Sequence, residues 1–236
     1  QQLRLPVMAA TWQAQANDAA LSDLPFDERL ALLVDAELLA RDNLRLQRHL
    51  REAQLRITAA CVEDIDYSAK RELDKALVRQ LAGGRWLAEF HNLIISGKTG
   101  TGKTYLACAL GMAAMRNGRR VIYRRAARLY DELAIAHGDG SYARYLAKLA
   151  RVDLLIIDDF AMAPITAAQR HDLLEIVEDR YGRASTLLAG QLDPKRYHDY
   201  LGDPTFADAF CDRVLHNAHR LVLNGPSRRK ENASVR

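Results

Sequence analysis

Eight residues, Gly97-Lys98-Thr99-Gly100-Thr101-Gly102-Lys103-Thr104, combine glycine, lysine and a hydroxyl at the spacing of a phosphate-binding P-loop. Gly97, Gly100 and Gly102 let the chain curl until successive backbone N–H groups face phosphate oxygens. Lys98, Thr99 and Thr101 fill the variable positions of the pattern. Lys103 supplies a compact positive charge for β- and γ-phosphates, and the Thr104 hydroxyl suits Mg²⁺, which prefers hard oxygen ligands. A second stretch complements the first. Leu154-Leu155-Ile156-Ile157 runs into Asp158-Asp159-Phe160, a buried strand ending in two acids, as in a Walker B motif. Asp158 is placed to hold Mg²⁺, usually through water, and Asp159 to orient or deprotonate an attacking water. Gln191, after the apolar run Ser185 to Ala189, could hydrogen-bond a γ-phosphate or that water.

These groups work only if strands and helices bring them to one place. Leu93 to Ser96 reads as a buried strand leading into the loop. Tyr105 to Met115 reads as a buried helix leading out, stopped at Asn117-Gly118. Further strands are expected at Val121–Tyr123, Val152–Phe160, Ser185–Ala189 and Arg220–Leu223. Helices are expected between them over Ala126–His137, Tyr142–Ala150, Thr166–Arg180 and Thr205–Leu215. Five short apolar strands alternating with helices call for a parallel sheet covered on both faces, with ligands at the carboxyl ends of the strands. Ahead of this, residues 1–66 read as helical and separate from residues 67–236. A helical pattern runs from Asp27 to about Ala60, with Leu30, Leu33, Val34 and Leu38 on one face. A further helix is expected from Ser68 to Leu81, with a short helical turn around Trp86.

Charge is distributed unevenly. The net charge of +4 over 236 residues hides a first segment with seven basic and eleven acidic groups and a strongly basic remainder. Arg41, Arg45, Arg48, Arg51 and Arg56 would share an arc of about 140° if the helix reached them all. Arg116, Arg119, Arg120, Arg124, Arg125 and Arg128 occur with no acid among them. Each group reads either as a solvated face or as a surface for nucleic-acid phosphates, and Arg144 and Lys148 extend the second. Cys61, Cys108 and Cys211 are too scattered for a disulfide framework or a metal site, which favours a reducing cytoplasm. His216 and His219 lack a third metal ligand in register and read as structural. No apolar run reaches membrane-spanning length.

Taken together, these residues resemble the AAA+ branch of P-loop ATPases, and more closely the IstB-type helper ATPases of bacterial insertion sequences. The resemblance spans nearly the whole chain. It rests on Ile94-Ile95-Ser96-Gly97 into the loop, Tyr105-Leu106-Ala107 after it, Leu155 to Phe160, Gly190-Gln191-Leu192, Gly202-Asp203-Pro204, Asp212 to Arg220, and Gly225 to Lys230. It implies an α/β fold of the AAA+ (ASCE) type, a parallel five-stranded sheet flanked by helices, with a small all-α amino-terminal domain for DNA binding or oligomerisation. It also implies an ATP- and Mg²⁺-dependent bacterial cytoplasmic protein that assembles with copies of itself on double-stranded DNA, deforms it, and selects targets for a partner transposase. By position, Gln191 would be the sensor-1 group, Arg213 the finger reaching a neighbour's γ-phosphate, and Arg229 the sensor-2 arginine. Two residues depart from common AAA+ usage: Asp159 stands where glutamate is frequent, and Gln191 where asparagine or threonine is. A replicative helicase loader of the DnaC type, with nearly the same ATPase core, is the alternative reading. A metabolic P-loop kinase would need an acceptor pocket for which no residues stand out.

Overall fold

The computed structural model describes residues 4–67 and 73–227. The chain forms two compact units, Gln1–His49 and Leu50–Arg236. The helical pattern of the sequence puts a division at 66/67, whereas residues 50–67 group with the second unit.

The first unit holds α1 (Pro6–Ala16), α2 (Ala19–Ser22) and all but the last turn of the long α3 (Phe26–Ala53). Pro6 opens α1, where its missing N–H costs nothing. No side chain at Leu5 caps this helix. Instead the Glu37 carboxylate accepts the N–H groups of Val7 and Met8, each at 2.9 Å, meeting the positive end of the helix. The Met8 N–H, with Arg41 alongside, holds the Glu37 carboxyl below its ordinary range against the opposing effect of burial. Of the apolar face expected on α3, Leu33 is buried while Leu30, Val34 and Leu38 are exposed.

Helix α3 stops at Ala53 and not near Ala60. Gln54 adopts a left-handed backbone, φ 55°, and Leu55 turns inward to a buried position. Apolar burial therefore ends a helix that local propensity would have continued, and Arg56 leaves the arginine face of α3.

The second unit opens with α4 (Lys75–Ala82) and α5 (Arg85–Ala88). Helix α4 begins where the Asp74 carboxylate accepts the N–H groups of Ala76 and Leu77; the expected start at Ser68 lies outside the described residues. Then alternate β1 (Asn92–Gly97), α6 (Lys103–Arg116), β2 (Val121–Arg125), α7 (Ala126–Asp139), α8 (Tyr142–Ala150), β3 (Leu154–Phe160), α9 (Ala167–Arg180), β4 (Ser185–Gly190), α10 (Tyr197–Leu201), α11 (Pro204–Leu215) and β5 (Ala218–Leu223). The five strands form one parallel sheet in the order β2-β3-β4-β1-β5. Strand β2 runs two residues further than expected, because Arg124 and Arg125 pair in register with Ile157 and Asp158.

The sheet is buried from both faces, so its central strands are apolar without alternation: Leu154, Leu155, Ile156 and Ile157 have no exposed surface. Helix α6 lies close against β3 at Gly111, where a Cβ would sit 2.9 Å from Ile156 Cδ1. Side-chain caps set the helix starts on the other face. Thr166 and Gln169 form a reciprocal capping box on α9, and Asp203 accepts the Phe206 N–H ahead of α11.

Arg180, at the end of α9, is buried to 1% exposure. It donates to the carbonyls of Leu149, Val152 and Ser185 and to Thr186 Oγ1, tying α8 and the connection after it to β4 through carbonyls and a hydroxyl. Arg180→Met is expected to leave those carbonyls unsatisfied and to lower unfolding stability in urea by about 3 kcal/mol or more. A loss under about 1 kcal/mol would show that the cation is dispensable.

Candidate functional site

Parallel strands place all their carboxyl ends at one edge of the sheet, and the order seen here puts β1 between β4 and β5 there. The glycine loop leaves β1 at this edge. Gly97 has φ 149° and lies so close to β5 that a Cβ would stand 2.3 Å from the Leu223 carbonyl oxygen, so only glycine fits. The loop closes on itself through Thr101 Oγ1, which donates to the Lys98 carbonyl at 2.9 Å. Lys98 and Thr99 face solvent, and Ser227, beyond β5, lies against Gly100. Gly102 hands the chain to α6, whose amino-terminal N–H groups face the loop. Lys103 folds back so that Nζ donates to the carbonyls of Gly97 and Lys98 at 2.7 and 2.8 Å. A bound phosphate would exchange these neutral acceptors for charged ones.

Asp158 meets this loop from β3. It is 1% exposed, and its Oδ2 accepts the Thr104 hydroxyl at 2.8 Å and the Tyr123 hydroxyl at 2.7 Å. Thr104 and Asp158 are the pair that could hold Mg²⁺: two oxygen donors on facing elements, one a carboxylate whose hydrogen-bond donors are hydroxyls. Burial, then the bond to Asp158, raises the Tyr123 phenol well above its ordinary value, so it stays a donor. Burial also pushes the nearby Cys108 thiol up to about 11, which leaves it protonated and inert at neutral pH.

Asp159 is set differently. Its φ is 54°, and the β3–β4 register shifts between Ile157 and Phe160. Its Oδ2 lies 2.9 Å from Arg125 Nε and 3.7 Å from an Nη of Arg56. Gln191 follows Gly190, which is in register with both Ser96 and Phe160, so it stands at the same sheet edge. Its amide donates to Met162 Sδ at 2.8 Å.

Arg213 is not brought to this edge. It lies at the end of α11, where the Asn92 side chain donates to the Arg213 carbonyl at 3.0 Å, and Asn92 is the first residue of β1. The length of β1, about 16 Å, separates that edge from the loop. The Arg213 guanidinium bonds Ala209 O and Glu178, both at 3.0 Å. Arg229 lies outside the described residues.

The basic residues divide. Arg124 is buried, with Nε on Glu132 at 2.8 Å and an Nη on its neighbour's carbonyl, which corrects its assignment to a surface: its place in β2 turns it against α7. Arg119 pairs with Asp153, and Arg120 donates to the Arg151 carbonyl. Arg125 is held by Asp159. Arg41 pairs with Glu37 and Arg45 with Asp42. Arg48, Arg144 and Lys148 are exposed. Among the described residues no group of three or more His, Cys, Asp or Glu is placed to hold a metal, at His216 and His219 or elsewhere, and no helix is long and apolar enough to cross a membrane.

Sequence reasoning missed Tyr123 and Arg56. A tyrosine in a buried strand needs a partner for its hydroxyl, but only register shows that the partner is Asp158. Nothing in the sequence marks the turn at Gln54 that redirects Arg56.

The family model for IstB-like ATP binding protein matches residues 1–235. The insertion sequence ATP-binding protein y4pL of Sinorhizobium fredii is 46% identical over 232 residues, covering 96% of this chain and 94% of that protein. The ATP-binding protein of insertion sequence IS1162 from Pseudomonas fluorescens is 49% identical over 191 residues, covering 81% and 83%. Among solved structures, the chain is similar to a DNA replication initiation factor (TM-score 0.61, 20% identity, 76% of this chain and 54% of that one). It is also similar to DnaI (TM-score 0.59, 19% identity, 75% and 94%) and to the DnaC helicase loader (TM-score 0.56, 19% identity, 64% and 88%). The chain thus spans about half the length of the replication initiation factor and most of the other two. At these identities the likeness is one of fold, the P-loop AAA+ domain.

Tyr123→Phe is expected to leave Asp158 oriented by Thr104 alone and to weaken ATP binding in Mg²⁺ about tenfold. Binding in chelator should be unchanged. Fluorescent ATP-analogue titrations with and without Mg²⁺ make the comparison, and equal loss in both would refute a role through Asp158.

Proposed function

The chain belongs to the family of IstB-like ATP binding proteins, and from that premise we propose that it is a Mg²⁺-dependent ATPase of DNA transposition. ATP binding assembles copies of it on double-stranded DNA, and the assembly presents bent target DNA to a transposase. Hydrolysis then resets the assembly. The observation that carries this reading is the hydrogen bond from Thr104 to Asp158, which joins the glycine loop to the acid-bearing strand in a single site.

The chemistry follows from the residues. The loop N–H groups from Gly97 to Thr104 and the start of α6 bind the phosphates, and Lys103 leaves the loop carbonyls for the β- and γ-oxygens. Thr104 and Asp158 would hold Mg²⁺, which when bound would supply charge neutralisation at those oxygens. Water attacks the γ-phosphorus as the bond to the β–γ bridging oxygen breaks. Asp159 orients that water and takes its proton, while Gln191 hydrogen-bonds the γ-phosphate or the water. Arg213, one strand length from its own loop, serves the site of a neighbouring copy and makes turnover depend on assembly. Arg229 contacts the nucleotide from the carboxyl-terminal segment.

DNA contacts are assigned to Arg48, Arg144 and Lys148, whose charges face solvent, with Arg41, Arg45, Arg119, Arg120 and Arg125 joining where a phosphate displaces a carboxylate or carbonyl. Solvent-facing guanidinium and ammonium groups release counterions on meeting phosphates, so binding should fall steeply with salt.

Asp159→Asn is expected to bind ATP and block its hydrolysis. Mixing Lys103→Ala with Arg213→Ala, each inactive alone, should restore part of the turnover, because one mutant supplies the finger and the other the loop. A mixture as inactive as its components would exclude an arginine acting in trans. Arg144→Ala with Lys148→Ala is expected to lower the slope of log affinity for duplex DNA against log salt by about 2; an unchanged slope would remove them from the interface. Capture of a transposase but not a replicative helicase separates this reading from a helicase loader.

A further inference from the structure

The segment after α3 is fastened along the helix that follows the glycine loop. Ala53, Leu55, Ala60 and Ile65 are buried. Leu55 Cδ2 approaches to 3.4 Å of where a Cβ on Gly111 would stand. The Tyr105 hydroxyl is bracketed by Cys61, accepting its N–H and donating to its carbonyl at 3.3 Å each. Residues 53–65 therefore form a hook whose position is set by α6.

Arg56 projects from this hook to Asp159. Its Nη lies 3.7 Å from Oδ2, the same oxygen that takes Arg125 Nε at 2.9 Å. Two guanidinium groups thus converge on one oxygen of a carboxylate whose backbone turns through φ 54°, a left-handed conformation that aspartate tolerates better than most side chains. A carboxylate tied through this oxygen to Arg125, with Arg56 beside it, must part from that pairing before the oxygen can turn to a water.

We propose that Arg56 is a positioning residue that restrains Asp159, keeping this acid paired with Arg125 until the hook shifts. The inference rests on the reading of Asp159 as the water-activating group. It also gives ATP turnover an input from outside the nucleotide motifs. Helix α3 runs without a break from Phe26 to Ala53, and Arg56 stands three residues past its end. A shift of residues 53–65 along α6 is delivered to Asp159 through Arg56. Arg125, arriving from β2, is the second restraint, and a DNA phosphate that engages either guanidinium frees the acid in the same way.

The test uses the full chain and compares Arg56→Ala, Arg56→Lys and Asp159→Asn for steady-state ATP turnover without DNA and for binding of a fluorescent ATP analogue. A partly exposed ion pair at this distance corresponds to a modest factor, so Arg56→Ala is expected to raise kcat about two- to fivefold with KM and analogue affinity unchanged. Stimulation by duplex DNA should shrink by the same factor, and Arg56→Lys should return kcat toward the parent value. A thermal melt matching the parent confirms that the variant is folded. If Arg56→Ala leaves kcat unchanged or lowers it while Asp159→Asn abolishes turnover, the restraint is refuted and the role of Asp159 stands. If Asp159→Asn turns over like the parent, the water-activating role falls, and this inference falls with it.

Discussion

A single oxygen atom, Oδ2 of Asp158, holds the candidate site together. It takes hydroxyl protons from Thr104 at the start of α6 and from Tyr123 on β2. Three elements, the loop helix α6 and the neighbouring strands β2 and β3, are registered to one another through it. A buried carboxylate is costly unless its lone pairs are met. Here they are met by neutral donors, while the nearest guanidinium groups go to the next residue, Asp159. Adjacent acids on one strand are thus given different surroundings. One suits an incoming divalent cation, and the other is restrained by cations the protein already carries.

The arginines show how little a count of charge says about use. Arg180 is a wholly internal staple whose partners are carbonyls and a hydroxyl. Arg124 is drawn inward by Glu132, which also accepts from Arg128 and Tyr145. Burial pushes the Glu132 carboxyl up, but the bonds from Tyr145, Arg124 and Arg128 together outweigh it and hold the group below its ordinary range. Arg125 and Arg56 converge on Asp159, whereas Arg48, Arg144 and Lys148 face solvent. All are basic residues in a basic stretch, and what separates them is strand parity, helix ends and the acids opposite.

Under the proposed function, the two edges of the sheet have separate duties. The carboxyl edge gathers Gly97, Asp158, Asp159 and Gln191 because parallel strands end there together. The amino edge carries Arg213, near Asn92 and one strand length away. No rotation of a side chain spans that separation, so an arginine there can complete only a site belonging to another copy. Dependence on assembly is then a consequence of topology and not of any feature added to the site.

The glycine loop, the paired acids, the five-stranded α/β alternation and the family were all legible in the residues alone. Such features are local. Phosphate-binding glycines, an apolar run ending in acid, and helix stops such as Asn117-Gly118 declare themselves within a few positions, because backbone conformation and burial on both faces restrict residue type over that range. Tertiary structure decided what depends on residues far apart in sequence. It ended α3 at Ala53 because Leu55 is buried near Gly111, and it thereby sent Arg56 to Asp159. It turned Arg124 inward through the register of β2 with β3. It paired Tyr123 with Asp158 across 35 positions, and it put Arg213 at the far edge. Each of these outcomes follows from which strand lies beside which and what the packed core leaves room for, and neither quantity is a property of a local window of sequence.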